Sequence, residues 1–358
     1  MNCSAIANLV GGVFCLAELI SCCATATAQS LPNVVVVGTG GTIAGQGQSA
    51  ANTSSYTSAV VEVNDLVKAI PELAKIANVR SEQVAQLGSK SMTDAIMLKI
   101  AKRVNELLHR PDVDGVVVTH GTDTLEETSY LLNLTIKSDK PVVFAAAMRP
   151  STALSADGPL NLFNAVILAG SKQAIGKGVL VSMDDNIFTA RDIAKTNTFK
   201  TDTFRSPYGP LGYIAEGRPY FYRLPARPHT TQTEFDIAQI ETLPKVDIVY
   251  GYANIDRTAY DAFVKAGAEA IINAGTGNAN FNDNVLPAIA DVRKAGVFVV
   301  RTSRVGSGTQ YRANFPDDAK NGWINADDET PQHARILMAL GLTKTHELNA
   351  LREIFQKY

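Results

Sequence analysis

The sequence predicts an α/β protein built on mainly parallel sheets. Short, near-continuous apolar runs alternate with amphipathic segments from residue 34 onward. Strands covered on both faces of a parallel sheet have that unbroken Val/Ile/Leu character, whereas half-exposed strands alternate. The chain has 358 residues, 46% of them hydrophobic and 19% charged, which is enough for two full cores in a globular protein. A formal net charge of −2, with no long basic run, gives no sign of a nucleic-acid or anionic-membrane partner and leaves small ligands open.

Residues 1–28 are set apart from the rest. They hold all four cysteines (Cys3, Cys15, Cys22 and Cys23), an apolar run from Leu9 to Ile20, and Ala26-Thr27-Ala28 before Gln29. The small-x-small pattern predicts a cleaved export signal. The mature protein would then be cysteine-free and periplasmic or secreted. Leu19-Ile20-Ser21-Cys22 also passes for a lipid-attachment site. An N-terminal extension on a cytosolic protein is the competing reading.

Strands are expected at Val34–Val37, Val116–Thr119, Val142–Ala147 and Val179–Met183. Ile96, Ile100, Val104 and Leu107 mark one helix between them, and Leu125, Ser129 and Leu132 mark another. From Tyr208 to Pro244 prolines and glycines break the periodicity, which predicts an inter-domain linker. Alternation then resumes as strand 246–252, helix 258–266, strand 270–274, helix 285–295 and strand 297–302. Two C-terminal helices, about 332–341 and 345–356, complete the expected order.

The chemistry concentrates where apolar strands run into glycine. Val34-Val35-Val36-Val37 leads to Gly38-Thr39-Gly40-Gly41-Thr42, and Val116-Val117-Val118 leads to Thr119-His120-Gly121-Thr122-Asp123-Thr124. Loops after parallel strands expose backbone N–H groups where open α/β sheets bind ligands. A hydroxyl held beside such donors is placed to attack a carbonyl whose oxyanion the donors stabilise. The first loop lacks the third glycine of a dinucleotide fingerprint and the lysine of a phosphate loop. A tight turn capped by threonine is the bland alternative for Thr42. Gln46–Ser58 has the composition of a lid bearing one phenol, Tyr56, or of a plain exposed loop. Asp123-x-x-Glu126 also fits a helix-capping box, so Thr122 or Asp123 has a purely structural reading too. Lys195 has nothing distinctive around it, although a lysine buried against a threonine hydroxyl can act as a base. The histidines at 109, 120, 229, 333 and 346 lack metal-ligand spacing, so no metal is assigned, and His120 is expected to be a packed structural residue.

Together these segments closely resemble the bacterial-type L-asparaginases, particularly the exported type II enzymes and the glutaminase-asparaginases. The likeness covers about Leu31 to Tyr358. It is carried by Thr39–Gly45, His120–Thr124, Ala147-Met148-Arg149-Pro150, Ser155–Pro159 and Lys195-Thr196-Asn197, with Arg223–Thr230 and Glu234–Ile237 closer to the glutaminase-asparaginases. The resemblance implies a large N-terminal α/β domain (31–222), a linker (223–244) and a smaller flavodoxin-like C-terminal domain (245–358). It implies an amidohydrolase acting on asparagine, with glutamine as an additional substrate and no cofactor, assembled as a homotetramer. Thr42 would be the nucleophile with Tyr56 as its partner, and Thr122 and Lys195 would form a second hydroxyl–amine pair. Asp123 would anchor the substrate, Ser89 would hold its carboxylate, and Ala147 would offer a carbonyl to the side-chain amide. Asn278 would come from a neighbouring subunit. Two positions depart from the family pattern: Lys90 replaces Gln or Glu after the site serine, and Asn314 replaces a glutamate facing the substrate ammonium. Both changes weaken attraction for a cation, which predicts a raised KM. A non-catalytic amino-acid binding protein on the same fold is the rival from another class.

Overall fold

The computed structural model describes residues 30–311 and 318–358. The export-signal reading of 1–28 and the departure at Asn314 therefore lie outside the described residues. In chain order the strands are β1 (Asn33–Gly40), β2 (Gln46–Gly47), β3 (Tyr56–Thr57), β4 (Asn78–Leu87), β5 (Gly115–Thr119), β6 (Val142–Ala145), β7 (Val179–Met183) and β8 (Asn186–Thr189). They continue as β9 (Ala194–Lys195), β10 (Phe204–Arg205), β11 (Gly212–Ala215), β12 (Arg218–Phe221), β13 (Val246–Tyr250), β14 (Ala270–Gly275), β15 (Phe298–Ser303) and β16 (Trp323–Asn325). The helices are α1 (Val63–Lys68), α2 (Asp94–Leu108), α3 (Leu125–Thr135), α4 (Gly158–Ala169), α5 (Thr258–Lys265), α6 (Leu286–Lys294), α7 (Asp318–Asn321), α8 (Pro331–Leu342) and α9 (Leu348–Lys357).

Eight strands form the larger sheet, in the order β12-β11-β8-β7-β6-β5-β1-β4. The block from β7 to β4 is parallel, while β8, β11 and β12 are antiparallel. Four parallel strands form the smaller sheet, β13-β14-β15-β16. The architecture is thus α/β with a large, mainly parallel sheet and a smaller parallel one.

The apolar run of β1 behaves as its composition predicts. Val35 and Val37 belong to one core cluster and Val34 and Val36 to another, all four essentially buried. Helices on both faces supply the apolar cover that a parallel sheet requires. The first cluster continues through α8 and α9 to Ala270, Ile272 and Val300 of the smaller sheet, so the two sheets share one core within the compact unit Leu31–Tyr358.

The linker reading of Tyr208–Pro244 is corrected at its start. Gly212–Phe221 is a hairpin of the larger sheet, with Tyr213 opposite Tyr220 and Ile214 opposite Pro219. Proline lacks an N–H and is tolerated on an edge strand, and β12 is the edge. The strand expected to reach Ala147 ends at Ala145. The expected signals also omitted β4, a long edge strand whose residues are mostly half-buried or exposed and so carry no apolar run.

Candidate functional site

The site forms where three adjacent parallel strands end. β4, β1 and β5 deliver the loops at Gly88–Ser89, Gly41–Thr42 and Gly121–Asp123, which line one cleft of about 290 Å³ with Ser54, Tyr56, Ser58 and Lys90. Side-chain hydrogen bonds stitch the strand ends together. Thr39 Oγ1 donates to the Thr119 carbonyl at 2.7 Å, joining β1 to β5.

Glycine is required at this junction by space as well as by backbone angle. Gly41 sits at φ 82°, ψ −170°, a region essentially restricted to glycine. A Cβ there would lie 2.5 Å from the Gly121 nitrogen. A Cβ on Gly121 would lie 2.5 Å from Ser89 Oγ. Backbone therefore meets backbone, and Thr42 and Thr122 are carried into the same cleft.

Thr42 opens a single turn of 3-10 helix, Thr42–Ala44, and is largely buried. Its Oγ1 is 2.7 Å from the Tyr56 hydroxyl, and either oxygen can be the donor. Tyr56 lies in the short β2–β3 ribbon, where it pairs with Gly47. That ribbon is fastened to the 151–154 segment: Gly47 N–H donates to Thr152 Oγ1 at 2.8 Å, Ser151 N–H to Gly45 O at 3.0 Å and Leu154 N–H to Ala50 O at 2.8 Å. The ribbon thus lies over the Thr42–Ala44 turn through the Tyr56 hydroxyl. The Gly41 N–H is committed to Leu87 O at 3.0 Å, so it is not free to meet an oxyanion. As the first residue of a helical turn, Thr42 has an N–H without an intrahelical partner.

On the opposite wall the Lys195 ammonium donates to Thr122 Oγ1 at 2.9 Å and to Asp123 Oδ1 at 2.7 Å. Lys195 is mostly covered, while the Asp123 carboxylate is more than half exposed to the cleft. The capping reading of Thr122 and Asp123 is removed: α3 begins after Thr124, which makes no side-chain cap bond. Thr124 Oγ1 instead donates to the Ser89 carbonyl at 2.9 Å, and the Asp123 N–H donates to Ser89 Oγ at 3.1 Å. Buried Ser89 thus locks the β4 loop to the β5 loop, and its own hydroxyl proton remains available to a ligand.

The remaining candidates fall in different places. Lys90 lines the cleft and is exposed. Ala147 is fully buried two residues beyond β6 and is not one of the residues lining the cleft. Asn278 stands in the smaller sheet's region, where its side chain donates to Thr309 O at 3.0 Å and accepts from Tyr311 N–H at 2.8 Å. His120 is packed as expected, wholly buried with Nδ1 2.8 Å from Gly121 O, and burial pulls it down to about 4. Sequence reasoning missed Glu126, whose Oε2 accepts the Lys195 backbone N–H at 2.7 Å. The capping-box pattern had drawn attention to that carboxylate for a different reason. Among the described residues, no cluster of three or more His, Cys, Asp or Glu has the arrangement of a metal site.

Comparison with known proteins agrees in both halves of the chain. Residues 33–227 match the family model "Asparaginase, N-terminal", and residues 245–355 match "Glutaminase/Asparaginase C-terminal domain". The chain is 50% identical to the glutaminase-asparaginase of Pseudomonas fluorescens biotype A, over 99% of both chains. It is 48% identical to L-asparaginase 2 of Escherichia coli K12, over 92% of this chain and 94% of that one. The crystal structure of a probable cytoplasmic L-asparaginase from Campylobacter jejuni superposes with a TM-score of 0.89 at 44% identity, covering 91% of this chain and all of the other.

Proposed function

Because the chain belongs to the asparaginase family, we propose that it hydrolyses the side-chain amide of L-asparagine, and that of L-glutamine as a second substrate, to the acid and ammonia. The observation that carries this reading is two threonine hydroxyls lining one cleft, each with a hydrogen-bonded partner: Thr42 with the Tyr56 hydroxyl at 2.7 Å, and Thr122 with the Lys195 amine at 2.9 Å.

In the first step Thr42 Oγ1 attacks the amide carbon. Its proton passes to the Tyr56 oxygen while the Tyr56 proton moves to the leaving nitrogen; the C–N bond breaks and ammonia departs. The Thr42 N–H faces the developing oxyanion, and a single donor of this kind is typically worth about 10²–10³ in rate. In the second step water attacks the acyl-threonine; its proton passes to the Tyr56 oxygen while the Tyr56 proton moves to Thr42 Oγ1, which leaves as the alcohol, and the Lys195 ammonium holds Thr122 Oγ1 toward the water. Asp123 receives the substrate ammonium, a charge-assisted contact worth about 1.5–3 kcal/mol. Because Asp123 already holds the Lys195 ammonium at 2.7 Å, substrate binding loosens that pair and releases Lys195 toward Thr122. Ser89 donates to the substrate carboxylate. No cofactor enters either step.

The proposal extends to a homotetramer in which Asn278 reaches a neighbouring subunit's cleft, to domains at 31–222 and 245–358 joined by 223–244, and to export with cleavage after Ala28. The relatives support the export reading in one direction and oppose it in another: one from Haemophilus influenzae is named a probable periplasmic L-asparaginase, while the Campylobacter jejuni structure is named cytoplasmic. A mature N-terminus at Gln29 or Ser30 supports export, and an intact Met1 in a cytosolic fraction refutes it. The activity is tested by ammonia release from asparagine and glutamine in parallel. Release from neither amide overturns the proposal and favours a binding protein.

A further inference from the structure

We propose that Glu126 is a positioning residue that holds Lys195 in register with Thr122 and Asp123. The inference rests on Lys195 being the amine of the second pair. Lys195 lies in β9, a strand of only two residues that pairs with β10 and stands outside the larger sheet. So short a ladder fixes a backbone poorly. The Glu126 carboxylate compensates by accepting the Lys195 N–H at 2.7 Å. Glu126 is the second residue of α3, and the approach to that helix carries Thr122 and Asp123. One rigid element therefore references both the lysine backbone and the two groups its amine touches. A misplacement of about 1 Å in such a constellation can lower a rate about 10²-fold.

The surroundings of Glu126 mark it as more than a solvated helix-start acid. It is 7% exposed, and burial raises its carboxyl above the ordinary range against the opposing pull of His333 and the Lys195 N–H. The charged groups facing it are His333 on α8, its neighbour Glu127, which is paired to Arg335 at 3.1 Å, and Lys195. His333 is itself buried, with Nδ1 3.5 Å from Glu329 Oε2 and its ring 4.5 Å from Tyr130, one turn beyond Glu126 on α3. Tyr130 in turn donates to Glu329 Oε1 at 2.5 Å. From the α8 side the carboxylate thus faces a buried imidazole that attracts it electrostatically.

The test compares E126Q, E126D, E126A and K195A for kcat and KM on asparagine, with thermal midpoints recorded alongside. E126Q keeps an acceptor of the same reach, so its kcat is expected within about threefold of the parent. E126D withdraws the acceptor by one methylene and is expected to lose about tenfold in kcat, while E126A loses about 10²-fold, each with KM changed less than about threefold. Parental kcat in E126A, or in E126D should E126A not fold, overturns the inference if K195A is inactive, and the reading of Lys195 then stands. Parental turnover in K195A overturns that reading, and the inference with it. Equal losses in E126Q and E126A also contradict positioning through the acceptor.

Discussion

Two strand edges in this molecule share a geometry and differ in chemistry. At the carboxyl end of the larger sheet, glycine turns bring Thr42 and Thr122 into one cleft, each hydrogen-bonded to a titratable side chain, Tyr56 and Lys195. At the carboxyl end of the smaller sheet a larger space, about 550 Å³, is lined by Tyr252, Asn273, Asn282 and Arg304. There the side chains hold the protein itself: Tyr260 donates to Asn273, Arg304 to the Gly251 carbonyl, and Asn278 bridges Thr309 and Tyr311. The parallel-strand edge offers a place for a ligand. The proposed reaction needs more than that edge: hydroxyls beside proton partners and a free backbone donor.

The sharpest way to break this comparison is at Thr42. T42A is expected to lower kcat by about 10³-fold or more with the fold intact, read by ammonia release. If T42A stays near the parent while T122A is inactive, the nucleophile has been assigned to the wrong wall of the cleft.

The next contrast is between glycines. G41A drives a Cβ against the Gly121 backbone at an angle only glycine favours, so it is expected to cost about 3 kcal/mol or more in chemical denaturation. G296A, at φ 85° beside the smaller sheet with nothing within 4 Å of the added Cβ, is expected to cost about 1 kcal/mol. Equal costs would mean that the close approach of the two loops contributes nothing.

His120 distinguishes the edges by pH. Its folded value of about 4 lies below the unfolded value of 6.5, so between these the unfolded chain binds the extra proton. Stability is then lost as pH falls from 6.5 to 4, by about 3 kcal/mol from this group alone. Asp192, raised by burial to about 6, acts in the opposite sense over much the same range, so the quantity to measure is the difference between the parent and H120Q. That difference should shrink as pH falls, and a flat difference refutes the assignment.

The smallest expected effect is at the exposed rim. K90Q removes a cation from the cleft and is expected to lower KM by up to about fivefold with kcat unchanged, because a solvent-screened charge is worth about 0.2–1 kcal/mol. K90Q combined with N314E should lower KM further. An unchanged KM in the double variant refutes the idea that these positions weaken binding.

What was legible beforehand follows the same physics. Val34–Val37 and Val116–Thr119 announced themselves because strands buried on both faces must be apolar throughout, and the glycines after them punctuated the site loops. β4 stayed hidden because an edge strand with mostly half-buried or exposed residues carries no such run. The β11–β12 hairpin was obscured by Pro219, which an edge strand accommodates. Within the site, Thr42, Thr122 and Asp123 were visible in local motifs. The link from Glu126 to Lys195 was not, since it joins residues 69 positions apart and the glutamate matched a capping pattern.

The account turns on a transient ester at Thr42. Acid-quenching the T122A variant during turnover of saturating asparagine, followed by peptide mass spectrometry, tests it directly. The account predicts an aspartyl adduct on the peptide containing Thr42, lost in a T42A/T122A double variant. An adduct on another residue, or measurable turnover with no adduct on Thr42 under any quench, would contradict it.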